Sequence, residues 1–214
     1  MSSSLFIWLL QCSTKLTAWN VLLSLVFFLY TAFVRPLFPF CFGPNWLVRT
    51  ARLRPWEDAL YILTLSVTML TTFVFWTLYT LDFCLLDQRC GDPYVYHWAR
   101  LNLTHTAPLV VTLANSHIVI PDLLTERYKL LHMRIAVCFV FGYFANLYIC
   151  CCVLQLFDWP YPLMHFLDVN LWALLFLAAI GGLGTCVHVA RAFACYMAGY
   201  EHEPHDSADR SHSD

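Results

Sequence analysis

Long apolar runs alternate along this chain with short polar connections. Five runs reach or approach the roughly 20 residues that a membrane-spanning helix needs: residues 16–34, 57–81, 101–120, 135–157 and 167–190. They are too long for strands and lack a sustained two-residue alternation. Helix breakers lie in the connections: Pro36, Pro39, Gly43 and Pro44, then Gly91 and Pro93, then Pro121, then Pro160 and Pro162. The pattern predicts an all-α integral membrane protein over residues 1–199, a bundle of about five transmembrane helices. Beyond Gly199 the chain turns polar. Residues 200–214 have almost nothing to bury and are expected to form a disordered tail, with its histidines solvated.

Composition agrees. Of 214 residues, 60% are hydrophobic and 12% charged, against roughly 25% charged in a soluble domain. Too few polar residues are present to cover a water-facing surface, so lipid must take the place of water around most of the chain. The net charge of −2 argues against a nucleic-acid partner, which needs a basic face. Among the ten cysteines, Cys138, Cys150, Cys151, Cys152 and Cys186 lie in apolar runs, so a secreted disulfide framework is not expected. Cys84 and Cys90, at the edge of a short loop, are the one pair placed for a bridge. The start lacks a basic segment and has a very short apolar core, so no cleavable leader is expected. It reads Met-Ser, not Met-Gly, so no myristoyl chain is expected either.

Basic residues set an expected orientation. Arg35, Arg49, Arg52, Arg54, Arg127, Lys129, Arg134, Arg191 and Arg210 fall on one side, and Lys15, Arg89 and Arg100 on the other. The richer side is expected to be cytoplasmic, with the N-terminus outside or lumenal and the tail in the cytosol. Trp19, Trp46, Trp56, Trp98 and Trp159 fall near the span ends, where indole rings favour the headgroup zone.

The third run, LNLTHTAPLVVTLANSHIVI, is the most polar. At about 100° per residue, Asn102, Thr112 and Ser116 lie within about 60° of His105 on a helix. This stripe is costly in hydrocarbon and is expected to face other helices or a wet cavity, with Leu103 or Val110 nearer lipid. An ionisable residue in a span is a candidate functional group. The alternative is that His105 only hydrogen-bonds a neighbouring helix. His117 lies about 18 Å further along the axis, too far to share a small site, and His188 is expected at the rim.

Haem is not expected, because His105 has no histidine partner within the other spans. No other cofactor and no metal site is indicated. Cys150, Cys151 and Cys152 spread around a helix and do not make a one-sided metal site. Thr64, Thr68 and Thr71 form a hydroxyl row of the kind that packs helices together. Asn102-Leu103-Thr104 matches a glycosylation sequon but lies at the membrane edge and is expected to be unmodified.

Four segments resemble, in order, the androgen-induced and androgen-dependent multi-pass proteins, which hydrolyse fatty acid esters of hydroxy fatty acids. KLTAWNVLLSLVFF (15–28) resembles the Thr-containing helix start of that family. FWTLYTLD (75–82) resembles its Phe-Trp-x-x-Tyr-x-x-Asp run, and LNLTHTAPLVV (101–111) the segment around its essential His. DWPYPLMHFL (158–167) resembles its Trp-x-Tyr-Pro signature. The resemblance covers most of 15–190. Three departures stand out. Only a stub, 5–10, precedes the Thr-containing helix. Asn102 stands where a second histidine is often found. Val153 and Leu154 stand in the region of a late His-His pair. The Rolling-stone type of membrane proteins shares part of the pattern.

The resemblance implies a threonine nucleophile, Thr17, and a histidine base, His105. Both fall near the outer ends of their spans, within roughly 5 Å in depth. A base is what makes a threonine hydroxyl nucleophilic, and imidazole serves near neutral pH. Asn102, Thr112 and Ser116 are the candidate supporting groups, Asn102 as an oxyanion donor or a partner that orients the ring. The expected function is intramembrane threonine hydrolysis of fatty acid esters in the endoplasmic reticulum or plasma membrane. The lipid bilayer and the ester are the expected partners. The alternatives are a non-enzymatic cell-contact or scaffold protein and a small lipid-binding or transport bundle.

Overall fold

The computed structural model describes residues 7, 11–43, 54–82, 101–115 and 126–197. Among these residues every regular element is helical. Helix α1 (Leu16–Leu29) passes through a π turn, Tyr30–Val34, into α2 (Arg35–Phe42), which ends at Gly43. Gly43 has φ +68°, the left-handed conformation that closes a helix C-terminus and that glycine adopts without penalty. Then come α3 (Arg54–Leu81), α4 (Ala107–Ala114), α5 (Glu126–Tyr148) and α6 (Val169–Met197). A π turn, Ile149–Val153, prolongs α5, and a short 3₁₀ segment, Pro162–Phe166, lies before α6.

Four stretches among the described residues are long and apolar enough to cross a membrane: Leu16–Leu37, Pro55–Leu81, Tyr128–Val153 and Val169–Met197. They match four of the five expected spans. The expected third span, 101–120, differs. Residues 101–105 are helical, the chain turns at Thr106, and α4 follows. Pro108 explains the break: it lacks an N–H, and its ring crowds the carbonyl four residues earlier. The described part of this run, 101–115, covers about 22 Å at full helical rise. Residues 116–120 lie outside the described residues, as do Cys84, Cys90, His97, His117 and the tail.

Helix α3 is the centre of the bundle and packs against α1, α4, α5 and α6. Tyr61, Ile62, Leu65, Val67, Leu183, Val187 and Ala190 form the main apolar core. Helix α1 runs antiparallel to α3: Tyr30 hydrogen-bonds Glu57, and the Phe27 and Tyr61 rings sit 5.5 Å apart. That register carries Thr17 toward the Thr71–Phe75 turn of α3. The outer surfaces are apolar, with Leu22, Leu25, Phe33, Leu174 and Leu177 exposed as a lipid-facing surface requires. The hydroxyl row of α3 is buried, and Thr64 and Thr68 donate to their own helix at Leu60 O and Leu65 O.

Arg191 corrects the expectation of a loop residue. Helix α6 continues to Met197, and Arg191 turns into the bundle, where its Nη1 donates to His132 Nδ1 at 2.9 Å. A guanidinium inside a span is held by such a partner. His188 is exposed, as expected of a rim residue. Cys150 is buried, Cys151 half-buried and Cys152 exposed, the spread that rules out a one-sided site.

Candidate active site

An apolar cavity of about 240 Å³ opens between the helices at the end of the bundle where α1 begins and α3 finishes. Thr17, His105, Tyr143 and Tyr161 bring polar groups to an otherwise hydrocarbon wall, which Thr71 also lines with its Oγ1 covered. From Leu78 the lining follows α3 to Val67, eleven residues or about 16 Å deeper. Leu183 of α6 lies with Val67 at the deep end. Beyond it Tyr61, Ile62, Leu65 and Val187 are packed with almost no exposure.

His105 reaches this cavity through the break before α4. Helix α4 packs against both α1 and α3. The chain is anchored there by Thr72, whose Oγ1 donates to His105 O at 2.5 Å, and by Trp76, whose Nε1 donates to Thr106 Oγ1 at 3.1 Å. The imidazole is only 7% exposed and stacks on Phe75, with centroids 3.6 Å apart and planes 17° from parallel. Its Nδ1 lies 2.9 Å from Leu101 O and 2.8 Å from Thr104 Oγ1. A carbonyl oxygen only accepts, so Nδ1 carries the proton and Nε2 keeps its lone pair. Nε2 has no hydrogen-bond partner among the described residues, and it is the ring nitrogen able to accept a proton.

Thr17 stands in the first turn of α1. Lys15, the residue at the helix start, makes no side-chain cap. The segment between α5 and α6 folds back over this turn. Met164 and Tyr143 are buried with Leu147, and Leu16, Trp159, Tyr161 and Trp172 pack around them. Trp159 and Trp172 lie 4.7 Å apart. Tyr143 Oη donates to Thr14 O at 3.1 Å, and Asn146 Nδ2 donates to Ser13 O at 2.9 Å, tying α5 to the chain just before α1. Burial raises the Tyr161 phenol above its ordinary value, against hydrogen bonds from the Leu16 backbone and the Thr17 side chain. The phenol therefore stays protonated at neutral pH.

Thr17 and His105 thus line one cavity, but no direct hydrogen bond joins them. The described part of the stripe, Asn102, His105 and Thr112, is turned away from the exposed face. His105 and Thr112 are buried, Asn102 is half-buried, and Leu103 and Val110 are 70% and 58% exposed. Asn102 and Thr112, two of the candidate supporting residues, bond within their own segment. Asn102 Oδ1 accepts from Thr106 Oγ1 at 3.3 Å, and Thr112 Oγ1 donates to Pro108 O at 2.7 Å. The His105 ring is instead oriented by Leu101, Thr104 and Phe75. Ser116 lies outside the described residues. Sequence reasoning did not single out Phe75, Tyr143 or Tyr161 as site groups. Phe75 and Tyr161 did lie within quoted motifs, which was the available signal.

The fold and the cavity define a multi-pass helical membrane protein with a buried, mostly apolar chamber. The profile of the FAR-17a/AIG1-like protein family matches residues 14–193, and the chain belongs to that family. No curated protein and no solved structure shows significant similarity to it.

Proposed function

We propose that this protein is a membrane-embedded lipid-ester hydrolase in which Thr17 is the nucleophile and His105 the base. The observation that carries the reading is the shared cavity. A threonine hydroxyl and an imidazole, brought from separate helices, line a chamber whose remaining wall suits an acyl chain. The His105 tautomer supports the reading, because Nε2 is the unprotonated nitrogen that a base needs. The absence of a resting Thr17–His105 hydrogen bond is compatible with it, since catalytic contacts often tighten only with substrate bound.

The ester carbonyl sits near Thr17, and its acyl chain runs toward Val67 and Leu183. His105 Nε2 takes the hydroxyl proton as Oγ1 attacks the carbonyl carbon. The alcohol half leaves with that proton, and water then hydrolyses the acyl-threonine. The substrate in this reading is a fatty acid ester of a hydroxy fatty acid, which reaches the chamber laterally from lipid. By the basic-residue bias, the Thr17 end faces outward or into a lumen and the C-terminus faces the cytosol.

A transport path is the weaker reading, because the cavity lining stops mid-bundle above the tightly packed core. The experiment is hydrolysis of such an ester by the purified chain in lipid, wild type against Thr17→Ala and His105→Ala. Turnover in the wild type and loss in both variants is expected. Wild-type turnover in either variant removes the assignment.

A further inference from the structure

Attack on an ester needs a third group, a donor for the negative charge that gathers on the carbonyl oxygen. His105 is engaged as the base and Thr17 as the nucleophile. Of the remaining polar groups on the cavity wall, Tyr143 already donates its proton to Thr14 O at 3.1 Å. The Thr71 Oγ1 atom is wholly covered. Asn102 and Thr112 are not part of the wall. Tyr161 is left.

We propose that Tyr161 is a catalytic residue of this site, its phenol O–H donating to the oxyanion formed as Thr17 attacks. The inference rests on the hydrolase reading and adds one group to it. Three observations carry it. Tyr161 lines the same cavity as Thr17 and His105. It packs, as Leu16 does, against the buried cluster of Tyr143, Leu147 and Met164 at this end of the bundle. Its backbone is extended, with φ −127° and ψ 134°, the conformation imposed on a residue that precedes proline, here Pro162. Pro160 on the other side further restricts the chain. A donor held this way needs no reorganisation during the reaction.

The phenol is protonated at neutral pH, so it has a proton to donate to a substrate oxygen. When the ester binds, the Thr17 O–H donates to His105 Nε2. The Oγ1–carbon bond forms, the carbonyl π pair moves onto oxygen, and the oxyanion accepts from Tyr161. The pair returns as the carbon–oxygen bond to the alcohol breaks, and His105 returns the proton to that oxygen. In the second half His105 takes a proton from water, hydroxide adds to the acyl carbon, and Thr17 Oγ1 leaves and regains its proton. One ester and one water give one acid and one alcohol, and Tyr161 donates a hydrogen bond in each half without losing its proton.

The test uses the full chain in lipid with Tyr161→Phe, which keeps the ring and removes only the hydroxyl. Alongside kinetics on a fatty acid ester of a hydroxy fatty acid, binding of two long-chain probes is measured. One is a trifluoromethyl ketone, which adds to Thr17 and presents an oxyanion. The other is the matching ether, which fills the cavity without reacting. Expected is a fall of about a hundredfold in kcat with KM little changed, a parallel loss of ketone affinity, and unchanged ether affinity. Wild-type kcat in Tyr161→Phe overturns the proposal. So does an equal loss of both probes, which marks a residue that only holds the fold. If Thr17→Ala or His105→Ala retains turnover, the hydrolase reading itself fails. If both are inactive while Tyr161→Phe is not, only the role of Tyr161 fails.

Discussion

The imidazole Nδ1 of His105 lies 2.9 Å from the carbonyl oxygen of Leu101, one turn earlier in the same chain segment. That contact places the proton on Nδ1 and leaves Nε2 with its lone pair. Phe75, stacked at 3.6 Å, fixes the plane of the ring. The two contacts hold the ring in one orientation, with a defined tautomer.

If His105 is the proposed base, loosening the stack should misplace it without emptying the site. Phe75→Leu keeps an apolar side chain but removes the flat surface under His105. A fall of tenfold or more in kcat is expected, because even about 1 Å of misplacement is costly in rate. KM should change little, since the cavity stays apolar. Steady-state kinetics on one ester tests this, and an effect confined to KM contradicts it.

The deep end of the cavity should set chain-length preference. Leu70 lines it, and its Cδ1 lies 3.1 Å from where a β-carbon on Gly182 would stand, so space around this side chain is already limited. Leu70→Phe should lower kcat/KM for long acyl chains by about tenfold relative to short ones, the scale of one or two methylenes in an apolar pocket. Kinetics over a series of chain lengths tests this. An equal loss at every length contradicts it.

Arg191→Met should destabilise the bundle and leave the chemistry alone. It removes the guanidinium that donates to His132 and leaves the buried Nδ1 without a donor, at a cost of about 1–3 kcal/mol. The pair sits beyond the packed core from the cavity, so folded variant protein should keep its wild-type KM. Thermal unfolding in detergent, with kinetics on the folded fraction, separates the two effects.

Orientation is tested by tags. The basic bias predicts that a C-terminal tag is reached from the cytosol and an N-terminal tag from the outside or lumen. Protease protection on sealed vesicles distinguishes the two faces, and the opposite pattern reverses the topology.

Four helices were legible in the sequence because hydrocarbon demands long apolar runs, and such runs show without knowledge of packing. Their ends were less legible. Helix α5 starts at Glu126, and the expected span started at 135, because Arg127, Lys129 and Arg134 end the apolar run without ending the helix. Arg191 looked like a loop residue for the same reason. Pro108 was visible in the third run, and its consequence, the break at Thr106, follows from its missing N–H.

At the site, the inward face of His105 was readable from the polar stripe, since lipid excludes such a face. Thr17 was not: among many hydroxyls only the resemblance selected it. Phe75 and Tyr161 reach the site from α3 and from the segment before α6. Contacts between such distant segments leave no local periodicity to read.

The most direct measurement is acyl-enzyme trapping on the wild-type chain in lipid with a long-chain ester, followed by peptide mass analysis. The account predicts an acyl group on Thr17, absent in Thr17→Ala and His105→Ala. It also predicts that the double variant hydrolyses the ester no more slowly than either single one, as residues acting as a unit do. Acylation at another residue, or undiminished turnover once Thr17 is alanine, would contradict it.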